Sequence, residues 1–234
     1  LSFNNQPNDE FTEGIRNSID QLRPQIASKV VNFSELVKES THVNGYYFLA
    51  GPRDMTAFHN YKFEDLVYLL EVLRKQEDYI VLVDGGADLN NKFVMAALDR
   101  IQNRIAVTTD ETIAYKRWKQ KIKQVFEPGF NLKQESFMYI LNGIDDELSD
   151  TVGIMKRYNS ISLGTLLHSE MGRIAEEQMK PLSFIDQQYS QDINKISRII
   201  ATKADCSYQF ENGKKDSIFG KLFSFGKVAR THGV

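Results

Sequence analysis

Tyr79-Ile80-Val81-Leu82-Val83-Asp84-Gly85-Gly86 joins a continuous apolar run, rich in β-branched residues, to an acid and two glycines. A run apolar on both faces reads as a central strand of a parallel sheet, because a strand covered on each side has no solvent face to make polar. The glycines mark the turn that ends it. Upstream, Phe63 to Lys75 places apolar residues at 63, 66, 67, 70 and 73, the period of a helix, and Tyr46 to Ala50 is a short strand closed by Gly51-Pro52. Downstream the alternation continues. Helix Lys92 to Gln102 leads to strand Arg104 to Thr108, then to helix Glu111 to Phe126, ended by Pro128-Gly129. Strand Phe137 to Leu141, closed by Asn142-Gly143, precedes helix Leu148 to Tyr158 and strand Leu163 to Leu167. Helices Met171 to Gln178 and Gln191 to Lys203 follow. Strands alternating with helices predict right-handed crossovers and an α/β fold: a mostly parallel β-sheet with helices on both faces.

The composition agrees with a globular chain. Of 234 residues, 41% are hydrophobic and 26% charged, which excludes a disordered polymer, and 15 Phe with 10 Tyr supply core area. A net charge of −2 excludes whole-molecule attraction to nucleic acid. The single Cys206 excludes an internal disulfide framework and suits a reducing compartment. No apolar run approaches the ~20 residues of a membrane span. Residues 1–44 form a mixed N-terminal segment, with helices expected over Glu13 to Leu22 and Phe33 to Glu39; residues 45–205 are the α/β core and 206–234 a tail of different chemistry.

In an open parallel sheet, ligands bind beyond the carboxyl ends of the strands. That rule selects Gly51 to Asp54, Asp84 to Asn90, Thr108 to Glu111, Asn142 to Asp146 and His168 to Glu170. A carboxylate ending a central strand, as at Asp84, is the arrangement that holds Mg²⁺ or its water beside nucleotide phosphates. Equally, Asp and Gly are ordinary turn residues, and Asp84 can cap its own turn. No phosphate-binding loop lies within the sequence. The nearest approach, Gly220 to Val228, has five intervening residues, Val in place of Ser or Thr, and no strand before it. His42, His59, His168, His232 and Cys206 show no ligand spacing, so no zinc site is expected. Ser169 has no nucleophile-elbow context and reads as a helix cap.

Taken in order, these segments resemble the MinD/ParA family of deviant Walker-motif ATPases, a P-loop NTPase-like fold of the SIMIBI class. Residues 79–84 resemble that family's Walker B strand, and Ala106-Val107-Thr108-Thr109-Asp110-Glu111 its next strand and Thr-Thr-Pro-Glu turn, with Asp110 in place of Pro. Leu141-Asn142 resembles the strand end whose Asn lies against adenine; Leu163-Gly164 through Met179-Lys180-Pro181-Leu182 resembles the Leu-Gly strand and Gly-Lys-Pro turn. The resemblance implies ATP and Mg²⁺ as cofactors. Asp84 would serve as the Walker B-like catalytic acid and, through water, the metal contact, while Thr109 and Asn142 would bind the nucleotide. It also implies that the phosphate loop precedes Leu1, so that ATPase activity depends on residues upstream. Two departures weigh against hydrolysis. Gly86 stands where the family has Pro, and Asp88 where it has a Gly near the γ-phosphate, and a carboxylate there repels phosphate. Decayed sites of this kind occur in the TadZ/CpaE branch, which localises pilus machinery.

The tail carries its own signal. Between Asn212 and Val234, Lys214, Lys215, Lys221, Lys227 and Arg230 face the single acid Asp216. On a helix at ~100° per residue, Ile218, Phe219, Leu222, Phe223 and Phe225 share one face, flanked by Lys221 and Lys227. That is the composition of an interfacial helix, and it resembles the membrane-targeting helix of MinD. The alternative is a last core helix whose Phe residues dock on the body. A single short amphipathic helix holds a membrane weakly, so a homodimer presenting two is expected. Lys116, Arg117, Lys119, Lys121 and Lys123 make one basic helix, read as a solvated face in preference to a DNA-binding surface. The functional expectation is an ATP-driven dimeric switch for spatial positioning, peripheral at the cytoplasmic face of the membrane. Its rivals are an ATPase-inactive scaffold that localises a pilus or secretion apparatus and, more weakly, a DNA (chromosome) partitioning ATPase.

Overall fold

The computed structural model describes residues 18–43, 46–52, 60–86, 91–145, 150–178 and 180–204. They divide into two compact units, with the boundary along the chain between residues 100 and 101. The 206–234 tail, Asp88 and the start of the helix expected from Glu13 lie outside the described residues.

In the first unit, a 3₁₀ turn (Ile19–Leu22) runs into α1 (Arg23–Ala27), with Pro24 in the first turn, where its missing N–H costs nothing. Helix α2 (Phe33–Lys38) opens with a capping box: the Asn32 side chain accepts from Glu35 N and Glu35 accepts from Asn32 N. Strands β1 (Thr41–Val43) and β2 (Tyr46–Phe48) pair antiparallel. The expected strand Tyr46 to Ala50 thus forms a hairpin with β1 over its first three residues, the one pairing so short a separation permits, while Ala50 makes an isolated parallel bridge with Ser18. Helices α3 (Phe63–Arg74) and α4 (Lys92–Arg100) complete the unit. Ile19, Leu22, Ile26, Leu36, Leu66, Leu69 and Ala96 form its core.

The expected central strand at Tyr79 to Val83 is not formed. Among the described residues they have no ladder partner, and each is more than a third exposed, Leu82 at 79%. A doubly apolar run becomes a central strand only with neighbours on both edges and layers on both faces. Here its anchor is instead the Tyr79 ring, 4.8 Å from Phe33 and 6.2 Å from Tyr47.

The second unit is the α/β sandwich. Strands β3 (Ile105–Thr108), β4 (Met138–Ile144) and β5 (Ser162–Leu167) form a parallel sheet in the order β3-β4-β5. Between β3 and β4 runs α5 (Thr112–Lys121), continued by a π turn (Ile122–Phe126) and by α6 (Glu127–Phe130). The helix thus passes through Pro128-Gly129. Glu127 N–H bonds to Ile122 O in the wide π register, and Pro128 falls in the first turn of the next segment, where no donor is needed. Asn131, at φ 53°, is the actual stop. Helix α7 (Thr151–Tyr158) joins β4 to β5, and α8 (Gly172–Glu177) and α9 (Gln187–Lys203) follow.

Period-two alternation along β4 sorts its side chains. Met138 and Ile140 pack with Leu163, Leu166 and Ile196 of α9 on one face. Tyr139 and Leu141, both fully buried, point to the other, where Tyr139 meets Trp118 of α5 and Tyr158 of α7. Helices therefore cover both faces of the parallel sheet, as the alternation predicts.

Gly164 in β5 has φ +148°, and a Cβ there would lie 2.8 Å from Ile196 Cγ1. Gly164→Ala is expected to cost about 1–3 kcal/mol in urea unfolding. Cutting Ile196 to Ala in the same chain should give less than the sum of the two losses; strict additivity would show that the contact is not the cause.

Candidate functional site

The carboxyl rim of the three-stranded sheet brings together two of the sequence-selected residues. Thr108 and Leu141 are the last registered pair of β3 and β4, so Thr109 and Asn142 leave neighbouring strands side by side. Asn142 does not end its strand, as its Asn-Gly pair suggests. It pairs with Leu166, and the ladder continues to Ile144 across an irregularity at Gly143, whose φ is +69°. A bulge at a rim re-aims the side chains beside it. Asn142 is half-buried there, with amide donors and a carbonyl acceptor, the donor–acceptor set that suits a purine edge.

Beneath the rim lies a network that the sequence does not signal. The Tyr158 hydroxyl is 3.0 Å from Thr108 Oγ1, Trp118 Nε1 donates to Tyr139 Oη at 2.9 Å, and Tyr139 Oη donates to Gln134 O at 3.1 Å. Tyr115 caps the group, its ring 5.1 Å from Tyr158 and its hydroxyl on Arg157 O. Every phenol in this cluster has a partner, so α5 and α7 are fixed to the strands that carry Thr109 and Asn142. Burial pushes the Tyr139 phenol well above its ordinary value and raises that of Tyr158; hydrogen bonds with Trp118 and Thr108 respectively oppose the rise without cancelling it.

Asp84 belongs to the first unit. It is exposed, and its Oδ1 accepts from Gly86 N at 2.9 Å. Gly86 follows at φ +56°. This is the turn-capping geometry of an Asx turn, one of the two readings its sequence allows. Among the described residues, no group of three or more His, Cys, Asp or Glu could hold a metal. Asp84 by itself supplies one carboxylate, and a Mg²⁺ held there through water would need substrate phosphates for further ligands. The rim thus sets Asn142 beside Thr109, whereas the described residues provide no loop for phosphates.

Ser169, expected as a cap, accepts from Met171 N at 3.2 Å and donates to Asp186 Oδ2 at 2.5 Å. Asp186 in turn caps α9 through Tyr189 N at 3.0 Å, and the Ser169 bond holds its carboxyl below the usual range. Asp186 was recoverable from sequence as an N-cap acid ahead of a periodic helix. Its pairing with Ser169, 17 positions away, was not. Asp88 and the apolar tail residues Ile218, Phe219, Leu222, Phe223 and Phe225, with Lys221 and Lys227, lie outside the described residues.

No protein-family model matches the sequence, and no curated protein matches it. A solved structure described as a ParA family ATPase from Chlorobium tepidum TLS matches with a TM-score of 0.60 at 19% identity, over 87% of this chain and 82% of that one. At that identity the likeness establishes the fold: a ParA-like P-loop NTPase architecture.

The buried phenols give a pH signature. A phenol held neutral in the fold stabilises below its unfolded pKa of about 10 and loses that contribution as pH rises toward the folded value. Resistance of the wild type to chemical unfolding should fall above pH 10, and Tyr139→Phe should flatten that dependence. Tyr158→Phe, at neutral pH, is expected to cost about 1 kcal/mol through the bond lost to Thr108. An unchanged alkaline slope in Tyr139→Phe would show that other groups set it.

Proposed function

We propose that the chain is a positioning protein of ParA/MinD architecture that acts as a dimeric scaffold at the cytoplasmic face of a membrane, and that it does not hydrolyse ATP. The observation that carries this reading is Asp84. Its carboxylate caps Gly86 within its own turn, and among the described residues the run before it is exposed and forms no strand of the kind a Walker B acid terminates. Asp88 adds a second acid where bound phosphate needs a neutral amide. In the scaffold, the tail residues Ile218, Phe219, Leu222, Phe223 and Phe225 insert among lipid headgroups, with Lys221 and Lys227 beside them, and two copies give durable attachment. The cargo is a pilus or secretion apparatus.

A second reading, the ATP-driven switch, draws support from one feature: Thr109 and Asn142 stand side by side at the rim where this architecture places an adenine. In that reading ATP and Mg²⁺ bind when a phosphate loop is supplied, Asp84 turns toward the metal's water, and nucleotide controls dimerisation.

Vesicle pelleting with and without ATP and Mg²⁺ separates the two. The scaffold predicts binding that is indifferent to nucleotide and lowered at least tenfold by replacing both Phe219 and Phe223 with Glu. Pelleting that requires ATP, and weakens at least tenfold in Asn142→Ala, would install the switch in its place. Undiminished retention by vesicles after the double Glu replacement would remove the tail from the account.

A further inference from the structure

The geometry points to the outer face of α5 as a second, purely electrostatic contact with an anionic lipid surface. From Thr112 to Phe126 the sequence has five cations and no carboxylate. Lys116, Arg117, Lys119 and Lys123 are all exposed, and none is in an ion pair among the described residues. The inner side of the same helix is spoken for: Trp118 contacts Phe126, Phe137 and Tyr139, and Ile122 and Phe126 are buried. The helix is therefore locked in rotation, with its cations held outward.

Helical spacing arranges them as a surface. Ile113, Lys116, Arg117 and Gln120 lie on one stripe, and Lys116, Lys119, Gln120 and Lys123 on the next. The flank adds to it. Tyr115 Oη and Gln134 Nε2 both donate to Arg157 O, at 3.0 and 2.8 Å, which brings the α7 terminus alongside α5. The acid on that flank, Glu135, accepts from Asn159. A concentration of uncompensated cations on a chain of net charge −2 is the complement of an extended anionic plane.

Lipid is favoured over nucleic acid by the residue among the cations. Ile113 is 52% exposed. An apolar side chain set among lysines gains from the headgroup boundary, where its burial and the lysine charges act together, whereas phosphate contacts along a duplex leave it no partner. Each cation at an anionic leaflet is worth roughly a fivefold gain in partitioning. This inference rests on the membrane reading above and adds to it a contact independent of the tail.

The test is pelleting of the full chain with vesicles of phosphatidylcholine alone or mixed with phosphatidylglycerol, over a series of salt concentrations. Wild-type binding should rise with phosphatidylglycerol and fall with salt. Replacement of Lys116, Arg117, Lys119 and Lys123 together by Ala should lower it at least tenfold, with the circular dichroism and unfolding midpoint unchanged. In the variant carrying Glu at Phe219 and Phe223, weak binding should persist and keep its phosphatidylglycerol dependence. Strong wild-type binding that the Ala variant retains in full would overturn the α5 contact and leave the membrane reading intact. Absence of wild-type binding to either vesicle would overturn both. Loss of duplex DNA retention in the Ala variant, with vesicle binding unaltered, would identify nucleic acid as the partner and overturn the lipid assignment.

Discussion

Strand β4 is paired on both edges and covered on both faces, and that confinement organises the second unit. Buried backbone amides must find partners, and here they do so in register with β3 and β5, extended by Met138 N to Arg104 O and His168 N to Ile144 O, each at 2.8 Å. Tyr139 and Leu141 are inaccessible to solvent, and burial of each is worth roughly 1.5–3 kcal/mol. A one-residue slip would exchange the Tyr139 and Met138 faces, placing a phenol against α9 and breaking its bonds with Trp118 and Gln134. Register, helix placement and the position of the rim follow from that single requirement.

The rim inherits its precision from this layer. Thr109 and Asn142 come together because β3 and β4 are in register through Thr108 and Leu141, and Tyr158 ties Thr108 to the helix after β4. Among the described residues no equivalent framework surrounds Asp84, whose carboxylate accepts from Gly86 N of its own turn. The proposed scaffold rests on this difference between a supported rim and an acid engaged only by its own turn. That contrast is the reason for preferring the scaffold to the switch.

Periodicity carried the sheet of the second unit. Ile105 to Thr108, the 138–144 run and Ser162 to Leu167 are all strands within a few residues of their expected limits, and the helices between them match. What the sequence hid was decided by partners or by backbone register. Tyr79 to Val83 has the composition of a buried strand, yet composition cannot supply a neighbour, and the run stays exposed. Pro128-Gly129 carries a stop signal that the π turn at Ile122–Phe126 overrides by shifting the bonding frame ahead of the proline. Asn142-Gly143 looked like a strand end and is an irregularity within one. Tyr158, central to the cluster under the rim, sits in a helix with nothing local to mark it: its role comes from Thr108, 50 positions away.

Amide hydrogen exchange resolved by residue tests this account most directly. Amides of β4 from Tyr139 to Leu141 should be among the slowest to exchange, while those of Ile80 to Val83 should exchange close to the rate of an open chain. Protection of Ile80 to Val83 equal to that of β4 would mean that the run before Asp84 is a sheet strand after all, and the case for a non-hydrolysing scaffold would fall with it.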